Sequence, residues 1–162
     1  MPCLTKLIDG DPEELVCGIP KRKYFAHTRK KALVIAISDY SELRKQEGKE
    51  RYEDLNETLD DAKHIISGLK ALGCTDDDII YLKEPSWDEV HLVLIDLAGD
   101  IERAATDNEK TMVFMYYSGH AMSDNNVQLQ LNELNLYPME KMLKTLAKAQ
   151  GSYVVALYDC CR

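Results

Sequence analysis

Ala32-Leu33-Val34-Ile35-Ala36-Ile37 is an unbroken apolar run of about the length of one strand. A strand with one wet face alternates apolar and polar residues, whereas a strand buried on both faces does not. The run therefore predicts a central strand covered above and below. Downstream, Leu55, Leu59, Ala62, Ile65, Ile66, Leu69 and Leu72 recur at helical spacing and stop at Gly73, a residue type that closes helices. Ile79-Ile80-Tyr81-Leu82 reads as a second strand. Ser86-Trp87-Asp88-Glu89 has the form of a capping box and opens a helix with Val90, Val93, Leu94, Leu97 and Ile101 on one side. Residues 111–117 give a third strand, a polar loop follows, a helix is expected around 138–149, and residues 153–158 give a fourth strand. Strands alternating with helices imply an α/β fold, with right-handed crossovers and a mostly parallel sheet covered by helices on both faces.

The chain has 162 residues, enough for one domain with a sizeable core. It is 45% apolar and 30% charged, which is ordinary for a globular domain and unlike a disordered or fibrous one. The net charge of −8 speaks against general nucleic-acid binding, which needs a basic face, and suits a site that attracts basic substrates. Five cysteines (Cys3, Cys17, Cys74, Cys160 and Cys161) are scattered and odd in number, with neither zinc spacing nor a disulfide framework. Residues 1–10 carry acid and no apolar run long enough for a signal peptide or membrane span. The expectation is a cytoplasmic, reducing compartment with no membrane partner. Asp76-Asp77-Asp78 reads as a solvated turn, and His27, His64 and His91 as surface residues without ligand spacing.

Residues 1–31 read as an N-terminal extension, with Pro2, Pro12, Pro20 and two basic clusters, Lys21-Arg22-Lys23 and Arg29-Lys30-Lys31. The clusters either solvate a linker or form processing sites for a basic-specific peptidase. Residues 32–162 form the expected globular domain.

In parallel sheets, sites gather at the carboxyl ends of the strands. Strand three ends in Ser118-Gly119-His120 and strand four in Asp159-Cys160-Cys161-Arg162. A His and a Cys would thus emerge side by side. A thiol nucleophile needs such a neighbour: the imidazole lowers the thiol pKa and later protonates the leaving amine. Neighbours along a strand face opposite ways, so only one of Cys160 and Cys161 can meet His120.

Tyr-Tyr-Ser-Gly-His after one hydrophobic strand and Asp-Cys-Cys-Arg after another resemble the caspase clan, especially paracaspases and metacaspases. Asp60-Asp61-Ala62 on the first helix resembles the same group, and the likeness covers roughly residues 30–162. It implies a caspase-like three-layer sandwich and the large-subunit half of a cysteine endopeptidase, a hydrolase of the thiol-protease type that acts through a thioester acyl-enzyme. By that resemblance Cys161 is the nucleophile, since the family's pattern places an acidic residue, then a small or apolar one, then the catalytic Cys; Cys160 is the rival. His120 is then the general acid and base. The N–H groups of Ala121 and Cys161 match the oxyanion hole, with Ala121 standing where the family usually has Gly. Asp61, Ser118 and Asp159 match residues lining a pocket for substrate Arg or Lys, where true caspases carry a glutamine two positions before the nucleophile.

The resemblance further implies a complementary small-subunit chain or a homodimer, since the family's small-subunit region is absent after Arg162, and the apolar strand at 153–158 is expected to pair with that second chain. Autoprocessing after a basic residue is expected too. No cofactor is implied, and residues 122–136 hold only Asp124 and Glu133 as carboxylates, too few for a calcium site. The alternative is a catalytically impaired homologue acting as a regulatory or scaffold partner.

Overall fold

The computed structural model describes residues 3–6, 28–46, 52–123, 126–131 and 135–160. In chain order its elements are β1 (Cys3–Lys6), β2 (Arg29–Ala36), α1 (Ser41–Arg44), α2 (Thr58–Ala71), β3 (Ile79–Lys83), α3 (Trp87–Thr106), β4 (Thr111–Ser118), β5 (Ala121–Ser123), β6 (Val127–Gln130), β7 (Leu136–Pro138), α4 (Met139–Lys148) and β8 (Ser152–Asp159). The main sheet runs β1-β8-β4-β2-β3. The pairs β8–β4, β4–β2 and β2–β3 are parallel, and only β1 runs antiparallel.

The apolar run at 32–37 is buried on both faces. Leu33, Ile35 and Ile37 point to one side and pack with Val90, Leu94, Leu97 and Ile101 of α3 and Met142, Leu143 and Leu146 of α4. Ala32, Val34 and Ala36 point to the other side, against Ala62 and Leu69 of α2. Two helices therefore cover one face and one helix the other, which makes the three-layer α/β sandwich. Small residues on the α2 side let that helix lie close to β2 and β4. The Ser86 hydroxyl accepts from the Glu89 N–H and the Glu89 carboxylate accepts from the Ser86 N–H, so α3 starts with the reciprocal cap read in the sequence.

The structure departs from the sequence reading in four places. First, β2 begins at Arg29, which draws Arg29-Lys30-Lys31 into the sheet: Arg29 pairs with Asp100 and Lys31 with Asp78 at 3.2 Å. That cluster is strand, not linker; Lys21-Arg22-Lys23 lies outside the described residues. Second, α2 starts at Thr58, so Leu55 precedes it, and the Leu55 N–H bonds to the Ser38 carbonyl at 2.9 Å. Third, the polar loop after His120 contains a three-stranded antiparallel sheet, β5-β6-β7. Its strands have three or four residues, too few for a readable alternation.

Fourth, the outer edge of β8 is taken by this chain's own residues 3–6, with Cys3 opposite Tyr158 and Lys6 opposite Val155. The expected second chain is not what fills that edge. Unpaired strand edges are sticky for any extended segment, and here residues 3–6 supply it. On the α2 side of β8, Tyr153 and Val155 stay exposed at 38% and 43%, because α2 packs mainly on β2 and β4.

Two smaller readings also meet the structure. Asp76–Asp78 forms a 3-10 turn in which Asp78 completes a capping box with Thr75. His64 is exposed, but His91 is half-buried, with its Nδ1 3.2 Å from the Tyr137 hydroxyl and its ring 4.8 Å from that of Trp87.

Candidate active site

His120 follows the carboxyl end of β4, where the parallel register sets Ser118 beside Ala36 on one neighbour and Asp159 on the other. The Gly119 N–H bonds to the Asp159 carbonyl at 3.2 Å, which carries the pairing one residue past the strand. Backbone and ring of His120 are both held. Its N–H donates to the Tyr40 hydroxyl at 2.8 Å, and its carbonyl accepts from the Gln130 N–H at 2.9 Å and lies 2.6 Å from the Tyr117 hydroxyl. Tyr40 and Tyr117 are completely buried, and burial pushes both hydroxyls well above the ordinary tyrosine value. They are neutral donors and acceptors, fit to carry a hydrogen-bond scaffold.

The imidazole is fixed by residues far away in sequence. Its Nε2 lies 2.9 Å from the Glu53 carbonyl. A carbonyl oxygen only accepts, so Nε2 carries the hydrogen and Nδ1 keeps the lone pair that can accept a proton. The Tyr40 ring stands 4.6 Å from the imidazole and the Tyr52 ring 5.4 Å. Asp54, next to Glu53, accepts from the Tyr40 N–H at 2.8 Å and from both Nη atoms of Arg44, each at 2.8 Å. The Arg44 side-chain bonds, followed by the Tyr40 N–H, hold the Asp54 carboxyl down at about 2. A folded value below the unfolded one means that the pair's support is fully present above the ordinary carboxylate pKa and is lost only as pH falls toward about 2.

Gly119 is required by space. A Cβ there would stand 2.6 Å from the Tyr117 hydroxyl oxygen and 2.7 Å from that of Tyr40. Both tyrosines are locked in the core and bonded to His120, so neither can yield without releasing it. Gly119→Ala should therefore lower stability by about 1–3 kcal/mol, as overpacking does, and urea denaturation would read it; a variant as stable as the parent means the two tyrosines are free to shift.

The candidate pocket residues lie on the α2 side of the sheet. Tyr116 and Ser118 share a face of β4, Asp159 is Ser118's partner on β8, and α2 carries Asp61 in its first turn over β4. Ser118, Asp159 and Asp61 all act on the Tyr116 hydroxyl. Burial first, then the two carboxylates, raise the Tyr116 hydroxyl above its usual value, and Ser118 opposes them. Ser118 is buried, Asp61 half-buried and Asp159 exposed.

Cys160 packs against the core cluster on the opposite side, close to Tyr117 and Tyr158. Cys161 and Arg162 lie outside the described residues. Ala121 opens β5 and is not at a positive φ, so its side chain carries no backbone strain and its N–H is the same donor a glycine would offer. Among the described residues, no group of three or more His, Cys, Asp or Glu is placed to hold a metal, and no helix is long and apolar enough to cross a membrane.

Sequence reading gave no role to Tyr40, Tyr52, Glu53 or Tyr116, although Tyr116 opens the Tyr-Tyr-Ser-Gly-His motif and Tyr40 is an aromatic residue in the loop after the first parallel strand.

The profile of the caspase domain family matches residues 29–162. The chain belongs to that family, whose class is the cysteine-type peptidases acting on proteins. A search of curated proteins finds no match to the chain.

Proposed function

We propose that this caspase domain is a cysteine endopeptidase subunit of the paracaspase or metacaspase type, cleaving after Arg or Lys through a His120–Cys161 dyad. The pairing of Ser118 with Asp159 at the strand ends, with Asp61 in the first turn of the helix packed on β4, is the observation that carries the specificity. Two carboxylates facing one guanidinium offer charge-assisted, potentially bidentate bonds, and a site with two negative charges disfavours an acidic side chain at the same place.

In this reading His120 Nδ1 takes the Cys161 thiol proton, and the thiolate attacks the carbonyl carbon of the scissile bond. The oxyanion accepts hydrogen bonds from the N–H groups of Ala121 and Cys161. Collapse breaks the C–N bond, the amine leaves with the proton from His120, and the acyl group stays as a thioester. Water, deprotonated by His120, then attacks the thioester carbonyl, the C–S bond breaks, the acyl group leaves as a carboxylic acid, and the proton on His120 returns to the sulfur. The packing of Cys160 against the core cluster supports Cys161 as the nucleophile, because neighbours along a strand face opposite ways. A complementary small-subunit chain or a second copy belongs to the proposal. The exposed Tyr153 and Val155 favour one, and such a chain adds a strand at β8 only by displacing β1. A reducing compartment such as the cytoplasm follows from a nucleophile that must stay a thiol.

A panel of fluorogenic peptides differing only in the residue before the scissile bond tests the specificity, run with the chain alone and with candidate partner chains. Cleavage after Arg and Lys, with Asp, Gln and Leu peptides at least about a hundredfold slower, is expected from loss of a paired buried charge. Preferred cleavage after Asp would overturn the reading.

A further inference from the structure

We propose that Arg44 and Asp54 form a clamp that positions the His120 imidazole, acting through the Glu53 carbonyl and through Tyr40. The proposal rests on the reading of His120 as the general base, and it adds two positioning residues that touch neither substrate nor thiol.

One guanidinium holds both neighbours of Glu53. Arg44 Nη1 donates to the Tyr52 carbonyl at 2.9 Å and to Asp54 Oδ1 at 2.8 Å, while Nη2 donates to Asp54 Oδ2 at 2.8 Å. The residue between, Glu53, presents its carbonyl to His120 Nε2. Asp54 Oδ1 also takes the Tyr40 N–H, so the same carboxylate fixes the residue whose hydroxyl accepts the His120 N–H and whose ring lies against the imidazole. Tyr52, tied by its carbonyl, supplies the second ring against His120. These contacts on His120 come from Tyr40, Tyr52 and Glu53, and the Arg44–Asp54 pair ties together the two stretches that carry them.

The exposure of the pair separates positioning from stability. Arg44 and Asp54 side chains are 32% and 41% exposed, and solvent-exposed ion pairs add little to global stability. The bidentate geometry instead gives orientation, and a displaced base costs rate far more than it costs folding.

The test uses the full chain with Asp54→Ala, Asp54→Asn, Arg44→Ala and Arg44→Lys, and with His120→Ala as reference. Iodoacetamide labelling of Cys161, followed by mass spectrometry, reads the thiol–imidazole pair without any substrate, and peptide cleavage gives kcat and KM. The expected result is a Cys161 labelling rate and a kcat about ten- to a hundredfold lower in Asp54→Ala and Arg44→Ala, with KM within about twofold and thermal midpoints near the parent's. Arg44→Lys, which keeps the charge without the fork, and Asp54→Asn, which keeps an acceptor for Tyr40, should fall between. Equal labelling of the parent and His120→Ala would overturn the dyad itself and the clamp with it. Faster labelling of the parent than of His120→Ala, with the four clamp variants at the parent's rate, overturns the clamp and leaves the dyad standing. If even Asp54→Asn and Arg44→Lys lose their folded baseline, the pair is structural support and the positioning role is wrong.

Discussion

Cys161→Ala leaves turnover of an Arg peptide at least about a thousandfold below the parent, the scale seen when a nucleophile that works as a unit with its base is removed. Without the sulfur no thioester forms, and the oxyanion donors and pocket can only bind. His120→Ala should fall to a similar level, and the double variant should be scarcely worse than either single one, because the two groups perform one proton-coupled attack. Cys160→Ala is the control: its side chain packs with Tyr117 and Tyr158, so its removal should cost stability and leave most of the activity. Burst-phase acyl-enzyme measurements on the four variants separate these outcomes. Parent-like turnover by Cys161→Ala would end the mechanism, and loss confined to Cys160→Ala would move the nucleophile by one position.

Asp159→Asn should lower kcat/KM for Arg peptides by about 2–5 kcal/mol, the cost of truncating one partner of a charge pair that is buried in the complex. Asp159 is exposed in the empty site, and the substrate side chain is what desolvates it. The loss should fall on Arg and Lys peptides and spare those with a neutral residue before the scissile bond, so the discrimination between them collapses. Asp61→Asn should act in the same direction, since its charge acts on the same Tyr116 hydroxyl. An Asp159→Asn enzyme that cleaves Arg peptides as well as the parent removes the acidic pocket from the account.

Much of this site was legible because its chemistry sits at strand ends. Ser118-Gly119-His120 and Asp159-Cys160 follow apolar runs, and the parallel register delivers Ser118 opposite Asp159 as alternating strands and helices require. The helix carrying Asp61 was readable from its periodicity, although its start at Thr58 was not, since Leu55 fits the same spacing by chance. The residues that hold His120 left almost no trace. Glu53 acts through its backbone carbonyl, and a backbone atom is the same in every residue type. Tyr40 and Tyr52 meet the imidazole across long stretches of chain, and no local pattern encodes a contact of that range.

By itself, then, the sequence determined the α/β layering, the order of strands and helices, and the His and Cys motifs at their ends, because burial on one or two faces writes a period into the chain. Only the tertiary structure decided that residues 3–6 take the outer edge of β8, that β5, β6 and β7 form a second sheet, and that an Arg44–Asp54 pair closes the segment around His120. Strand edges and short strands are completed by backbone hydrogen bonds, which are blind to side-chain identity. An ion pair depends on where two separate side chains arrive in space.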